Sequence, residues 1–232
     1  EFSHLKVIFV AHDSWHYTSR CAFINNCSNW QKECVNCKFK GNYPKAIFSN
    51  EHLEYKKKVD LISASDVIFV SPARWIAADL RIVYPNKTIK VIRNAIDFEE
   101  YQAPVSRSSI VKLLVSSVDI SQKGKHDQKL IKDLLDSGIH ISFVGKNNPF
   151  KGHPNANDYG YISDPNVYTK LLNEHDFYLF TSSVDIYPTV IVEALLNGLS
   201  VLATRSKGIL EFTEEFEEDI HLIDSLEQTL SF

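Results

Sequence analysis

Two sets of residues in this chain have the types and spacing to do chemistry. The first lies in FTSSVDIYPTVIVEALLNG, residues 180–198. A hydrophobic strand ends at Phe180, Asp185 follows, and Tyr187-Pro188 opens a helix that carries Glu193 and stops at Gly198. The N–H groups of Thr189 and Val190, free at the helix start, offer a place for a phosphate. One carboxylate before the helix and one eight residues later flank that place. Such a pair can accept hydrogen bonds from hydroxyls on two sides of a phosphate, the layout of a nucleotide sugar.

The second set is Cys21, Cys27, Cys34 and Cys37, spaced C-x5-C-x6-C-x2-C, the only cysteines in the chain. The two residues between Cys34 and Cys37 let both thiolates reach one metal from a tight turn. Four cysteines match the closed tetrahedral shell of a structural zinc. Two other readings stand beside it: two disulfides of undetermined connectivity, and reduced thiols packed among Trp15, Tyr17, Phe23 and Trp30. A catalytic zinc is disfavoured, because four cysteines leave no position for water. The mixed charge of the segment disfavours a nucleic-acid-binding finger.

The elements that must position these residues follow from periodicity. Short β-branched and aromatic runs read as buried strands at 6–11, 67–70 and 89–92, then at 111–116, 140–144, around Tyr161, 177–180 and 200–204. Helices are predicted over 51–63, 74–80, 127–137, 166–173, 189–196 and 209–214. This alternation predicts an α/β fold with parallel sheets covered on both faces, and ligands at the carboxyl ends of the strands. His12 falls just beyond the end of the first strand, and Gly145 ends the strand that starts at His140. Residues 14–44 have neither helical nor strand period and read as a long structured loop. Polar, aperiodic sequence over 98–109 marks a break. The expected organisation is a first domain over 1–101 with the Cys-rich loop, a linker at 102–109 and a second domain over 110–232.

Taken together, the residues resemble a family, the retaining glycosyltransferases of the GT-B fold, family 4 class. Asp185-x7-Glu193 with Tyr-Pro before the helix is similar to its E-x7-E motif, with Ser182 three residues ahead and EALLNGLSVLAT continuing as "EA–G–PV". VIRNAID at 91–97 resembles the "VIPNGID" segment that closes the first domain. SSVDISQKG at 116–124 resembles the phosphate loop ending in Lys-Gly, and Gly160-Tyr161-Ile162 the turn that holds the base. The cysteine block resembles the "HDMW–TG–C–C–W–C–CP" of a subset that builds bacterial surface polysaccharides.

The resemblance implies roles. Glu193 would bind ribose hydroxyls, and Asp185 the hydroxyls of the transferred sugar. Lys123 would meet the diphosphate of a UDP- or GDP-sugar as a point charge, with Ser117, Gly124 and Gly145 shaping the loop around it. Tyr161 would sit at the base, and Tyr187, Pro188, Thr189 and Val190 at the phosphate. His12 would act near the reacting carbon. The resemblance implies no catalytic metal at the diphosphate, and no Asp-x-Asp motif is present. The acceptor would be a glycan or a lipid-linked acceptor, and the setting cytoplasmic, with association at the inner membrane face left open by Lys56-Lys57-Lys58. Two positions depart from the family pattern: Asp185 stands where Glu is usual, and Ser117 where an arginine is usual. They keep a second reading alive, a non-catalytic nucleotide-sugar-binding or polysaccharide-associated protein. An NAD-type Rossmann reading is disfavoured, because no G-x-G-x-x-G follows the strands.

Composition bounds the rest. The 232 residues are 44% hydrophobic and 23% charged, which excludes a disordered chain. A net charge of −4 lacks the basic footprint of a general nucleic-acid binder. No apolar run approaches the roughly 20 residues of a membrane span. The chain has no methionine, even at position 1, and its first half is short for a complete Rossmann-like domain. The expectation is therefore a partial GT-B chain with two Rossmann-like domains, the N-terminal one incomplete.

Overall fold

In a computed structural model, residues 6–24, 27–39, 50–96, 111–123, 125–182 and 185–223 are described. Gly124, Asp97 and the expected linker at 102–109 lie outside them. The chain divides into two compact units, Glu1–Asn94 and Ala95–Phe232.

The first unit holds a three-stranded parallel sheet. β1 (Val7–Val10), β2 (Val67–Ser71) and β3 (Thr88–Val91) pair in the order β1-β2-β3. α1 (Glu51–Ala64) precedes β2, and α2 (Arg74–Val83) crosses from β2 to β3. Asn50 caps α1 by accepting from the Leu53 amide at 3.2 Å. Phe69, Ile76, Ala77, Leu80 and Tyr84 are buried, and the Tyr84 ring stacks on Phe69 at 5.2 Å. The Cys-rich segment has short order of its own, 3₁₀ turns at Trp15–Tyr17 and Asn29–Lys32.

The second unit carries a six-stranded parallel sheet. β4 (Lys112–Asp119), β5 (His140–Lys146), β6 (Ala156–Gly160), β7 (Phe177–Phe180), β8 (Ser200–Ala203) and β9 (Ile220–Leu222) run in the order β6-β5-β4-β7-β8-β9. Strand alternation divides the core into two layers. Leu113, Val115, Ile141, Phe143, Leu179 and Leu202 face α3 (Lys125–Asp136) through Leu130, Ile131, Leu134 and Leu135. Leu114, Val144, Tyr178, Phe180 and Val201 face α4 (Pro165–Asn173), α5 (Thr189–Leu196) and α6 (Lys207–Glu215). The strand order reverses direction between β4 and β7, the switch point at which such sheets open a crevice.

The expected elements are present with shifted ends. β4 runs on to Asp119, α3 begins at Lys125, and the strand expected around Tyr161 ends at Gly160. β9 was not foreseen, because three residues after an acidic turn carry no readable period.

Candidate functional site

The richest cluster of predicted residues lies at the carboxyl ends of the second sheet. β4 runs into a 3₁₀ turn, Ile120–Gln122, that leads to Lys123. Asp119 fixes the turn. One carboxylate oxygen accepts from the Ser121 amide (3.0 Å) and hydroxyl (2.6 Å), and the other from the Asn147 side-chain amide (2.9 Å). From α3, Gln128 donates to the carbonyls of Ser121 (3.0 Å) and Lys123 (2.9 Å). Gly145 lets β5 pass against this loop, since a Cβ there would drive into the Ser117 carbonyl. The Ser117 hydroxyl bonds the Asp119 carbonyl at 3.2 Å.

Lys123 is largely shielded from water. Burial pulls its pKa down, while the carboxylates of Asp127 and Asp185 oppose that shift. Asp185 is pushed up by burial, against a hydrogen bond from Ser182, the charge of Lys123 and the Ile186 amide. Lys123 and Asp185, 62 positions apart in sequence, therefore share one electrostatic environment. The Asp185 backbone rests on the start of α6, where a Cβ on Gly208 would lie 2.5 Å from the Asp185 carbonyl oxygen.

α5 completes the cluster. Pro188 is its N-cap residue, and its carbonyl accepts from the Ile191 amide at 3.2 Å, leaving the amides of Thr189 and Val190 ahead of the helical ladder. Glu193 is half-buried, which raises its carboxyl pKa. Its charge is felt by the phenols of Tyr168 and Tyr178. The ring of Tyr187 packs on Phe212 at 4.7 Å, so its bulk serves the core. Tyr161 is exposed, and the Lys146 ammonium lies 5.2 Å from its ring centre. Asp127, Gln128, Gly208, Tyr168 and Tyr178 had no signal as site residues, and Ser116 entered only as the first residue of the loop that resembles a phosphate loop. Tyr178 lies in an apolar run and reads as core, Gly208 acts through its backbone, and the side chains of Asp127 and Gln128 come to the loop only through the fold, which periodicity does not reveal.

In the first unit His12 is exposed just beyond β1. Asp13 accepts from the Trp15 amide at 2.8 Å, opening the Cys-rich segment. Three lysines in a row on a helix read as a solvated face, but the run Lys56-Lys57-Lys58 divides. Lys56 and Lys57 are exposed, whereas Lys58 turns back onto the loop. Its ammonium donates to the carbonyls of Trp15 (2.8 Å), Thr18 (3.1 Å) and Ser19 (2.7 Å) and sits 3.5 Å from the Trp15 ring centre. Burial draws its pKa to about 8. The three carbonyls offset only part of the solvation that burial takes from the ammonium.

All four cysteines are free thiols and line one cavity of ≈ 20 Å³ together with Ser19 and Trp30. The Ser19 amide donates to Cys34 Sγ at 3.3 Å, and burial pushes the Cys34 thiol up to about 11. Glu33, Cys34 and Asn36 have left-handed φ of 56°, 55° and 55°. Among the described residues, no group of three or more His, Cys, Asp or Glu side chains is arranged to hold a metal ion. The same residues include no helix long and apolar enough to cross a membrane.

No family model matches the chain. It is 30% identical over 222 residues to the putative colanic acid biosynthesis glycosyl transferase WcaC of Escherichia coli (strain K12), covering 91% of this chain and 55% of that protein. The chain thus spans about half the length of the curated relative it matches. WaaG, a glycosyltransferase involved in lipopolysaccharide biosynthesis, superposes with a TM-score of 0.57 at 16% identity, covering 75% of this chain and 54% of WaaG. Anabaena HepE, solved in complex with UDP and glucose, gives 0.51 at 20% identity over 71% of this chain and 51% of its own. With its two parallel-sheet units, the chain has the α/β fold of the GT-B glycosyltransferases.

Proposed function

We propose that the chain is part of a glycosyltransferase that moves a sugar from a nucleoside-diphosphate donor to a glycan or lipid-linked acceptor, with retention of configuration, in bacterial polysaccharide synthesis at the cytoplasmic face of the membrane. The observation that carries the reading is the placement of Lys123 and Asp185 after β4 and β7, the strands that flank the switch point of the second sheet, where each side chain acts electrostatically on the other ahead of the helix that bears Glu193. The likeness to WcaC supports it, as does the fold shared with HepE, which was solved with UDP and glucose.

In this reading the diphosphate lies against Lys123 and the amides of Thr189 and Val190, where fixed positive charge stabilises the leaving phosphate as its negative charge grows. Glu193 accepts from the ribose hydroxyls, and Asp185 from those of the transferred sugar. The bond from the sugar carbon to the phosphate oxygen breaks, the acceptor oxygen bonds to that carbon on the same face, and the departing phosphate oxygen takes the proton of the acceptor hydroxyl. Incubating the protein with UDP- and GDP-sugars and acceptor extracts should yield nucleoside diphosphate and a glycosylated product. Binding of nucleotide without turnover of any donor would favour the non-catalytic reading, which the Ser117 and Asp185 departures also support.

The Cys-rich segment is assigned a structural zinc in the same proposal. Four thiols on one atom-sized cavity, and left-handed backbone at the Cys34–Cys37 turn, support it. The thiols must rotate inward and lose their protons on binding. Metal analysis should find about one zinc per chain. Four titratable thiols and no zinc would end the assignment.

A further inference from the structure

Two aromatic residues build a small core in the Cys-rich segment of the first unit. Tyr17 and Trp30 are buried, with ring centres 5.0 Å apart in a T-shaped contact. Trp15 does not join them, and 44% of it is exposed. A single exposed apolar residue is ordinary on a protein surface, but this one is tied down through both backbone and ring. Its amide donates to Asp13 Oδ1 at 2.8 Å, and its carbonyl accepts from the Lys58 ammonium at 2.8 Å. The same ammonium sits 3.5 Å from the centre of the ring, and His16 meets that ring nearly edge-on at 5.5 Å. Lys58 is fixed in turn by the carbonyls of Thr18 and Ser19.

Holding a large side chain still costs rotamer freedom. Here the ring is ordered while much of it faces water, so its next contact forms without that cost. The surroundings narrow what the contact is. One cation already occupies the π system, which leaves neutral C–H surface, rather than a second cation, as the fitting partner. Asp13 stands at the base of the residue, bonded to its amide. The other carboxylate oxygen, Oδ2, has no hydrogen-bond partner among the described residues and can accept from a hydroxyl. A carboxylate so placed is a poor neighbour for an anionic lipid surface. A ring with C–H groups on its face and hydroxyls at its edge, which is what a sugar presents, meets both requirements.

We infer that Trp15, clamped by Lys58 and with Asp13 at its base, is a stacking platform for a sugar ring of the glycan acceptor. The inference deepens the proposed function and rests on it for the source of that sugar. The C–H face of the sugar lies on the indole, and Asp13 Oδ2 accepts from one of its hydroxyls.

Saturation-transfer NMR on the intact chain, with the methyl glycosides of glucose, galactose and mannose as probes, tests the platform. Saturation should pass to the ring C–H hydrogens of at least one glycoside. The transfer should fall at least about fivefold in Trp15→Ala, and by less in Trp15→Phe, which keeps an aromatic face should the first variant fold poorly. Absence of transfer to all three glycosides, or equal transfer in the wild type and both variants, would overturn the platform. Binding to phosphatidylglycerol vesicles that depends on Trp15, in place of glycoside binding, would overturn it in favour of a lipid contact. Glycoside binding at Trp15 in a chain that binds neither UDP nor GDP would keep the platform and sink the transferase reading. Nucleotide binding with no glycoside transfer would do the reverse.

Discussion

Glu193 is costly where it stands, and the cost has a sign that can be measured. Burial lifts its carboxyl above the ordinary range. The folded state then holds a proton that the unfolded chain has already released. Stability therefore falls as pH rises through the window between the ordinary and the raised value, and is regained below it. Glu193→Gln removes the charge and keeps the shape. The variant should be more stable at neutral pH by up to ~1 kcal/mol, read by urea denaturation, while nucleotide binding weakens. A variant that is destabilised and binds normally would contradict the placement of Glu193 as a ligand-facing carboxylate. Asp185 shows the same rise from burial, but Ser182 and Lys123 offset it, so it is the less clean probe.

At the scale of elements, one glycine joins α6 to the loop that carries Asp185. An alanine at Gly208 would place its Cβ 2.5 Å from the Asp185 carbonyl oxygen. Overpacking of this kind costs roughly 1–3 kcal/mol. Gly208→Ala should show that loss in chemical denaturation, with weakened nucleotide binding because the strain is relieved through the Asp185 loop. Full stability and binding would mean that α6 yields instead. This coupling was not legible in the sequence, where Gly208 reads as an ordinary residue of a helix start. The acidic pair was legible because strand, Pro188 and Gly198 punctuate it. Lys58 shows the opposite limit: three lysines in a row on a helix read as a solvated face, yet one of them satisfies three loop carbonyls. Nothing in a polar, aperiodic loop announces that its backbone needs a donor from another element.

At the scale of the whole molecule, the two parallel sheets follow from short β-branched runs alternating with amphipathic helices, which is why the fold class could be read so directly. Assignment of roles could not, because it depends on which strand ends become neighbours. Ser116 and Tyr178 come together only through the pairing of β4 with β7, at Leu113 with Phe177 and Leu114 with Tyr178. The central claim concerns the second unit, that Lys123 and its neighbours receive a nucleoside diphosphate. Isothermal titration of the chain with UDP and with GDP, repeated on Lys123→Ala, tests it most directly. One saturable site for at least one nucleotide, at least ~10-fold weaker in the variant (a loss of about 1.4 kcal/mol), is the predicted result. Binding of neither nucleotide, or equal affinity in the wild type and the variant, would contradict it.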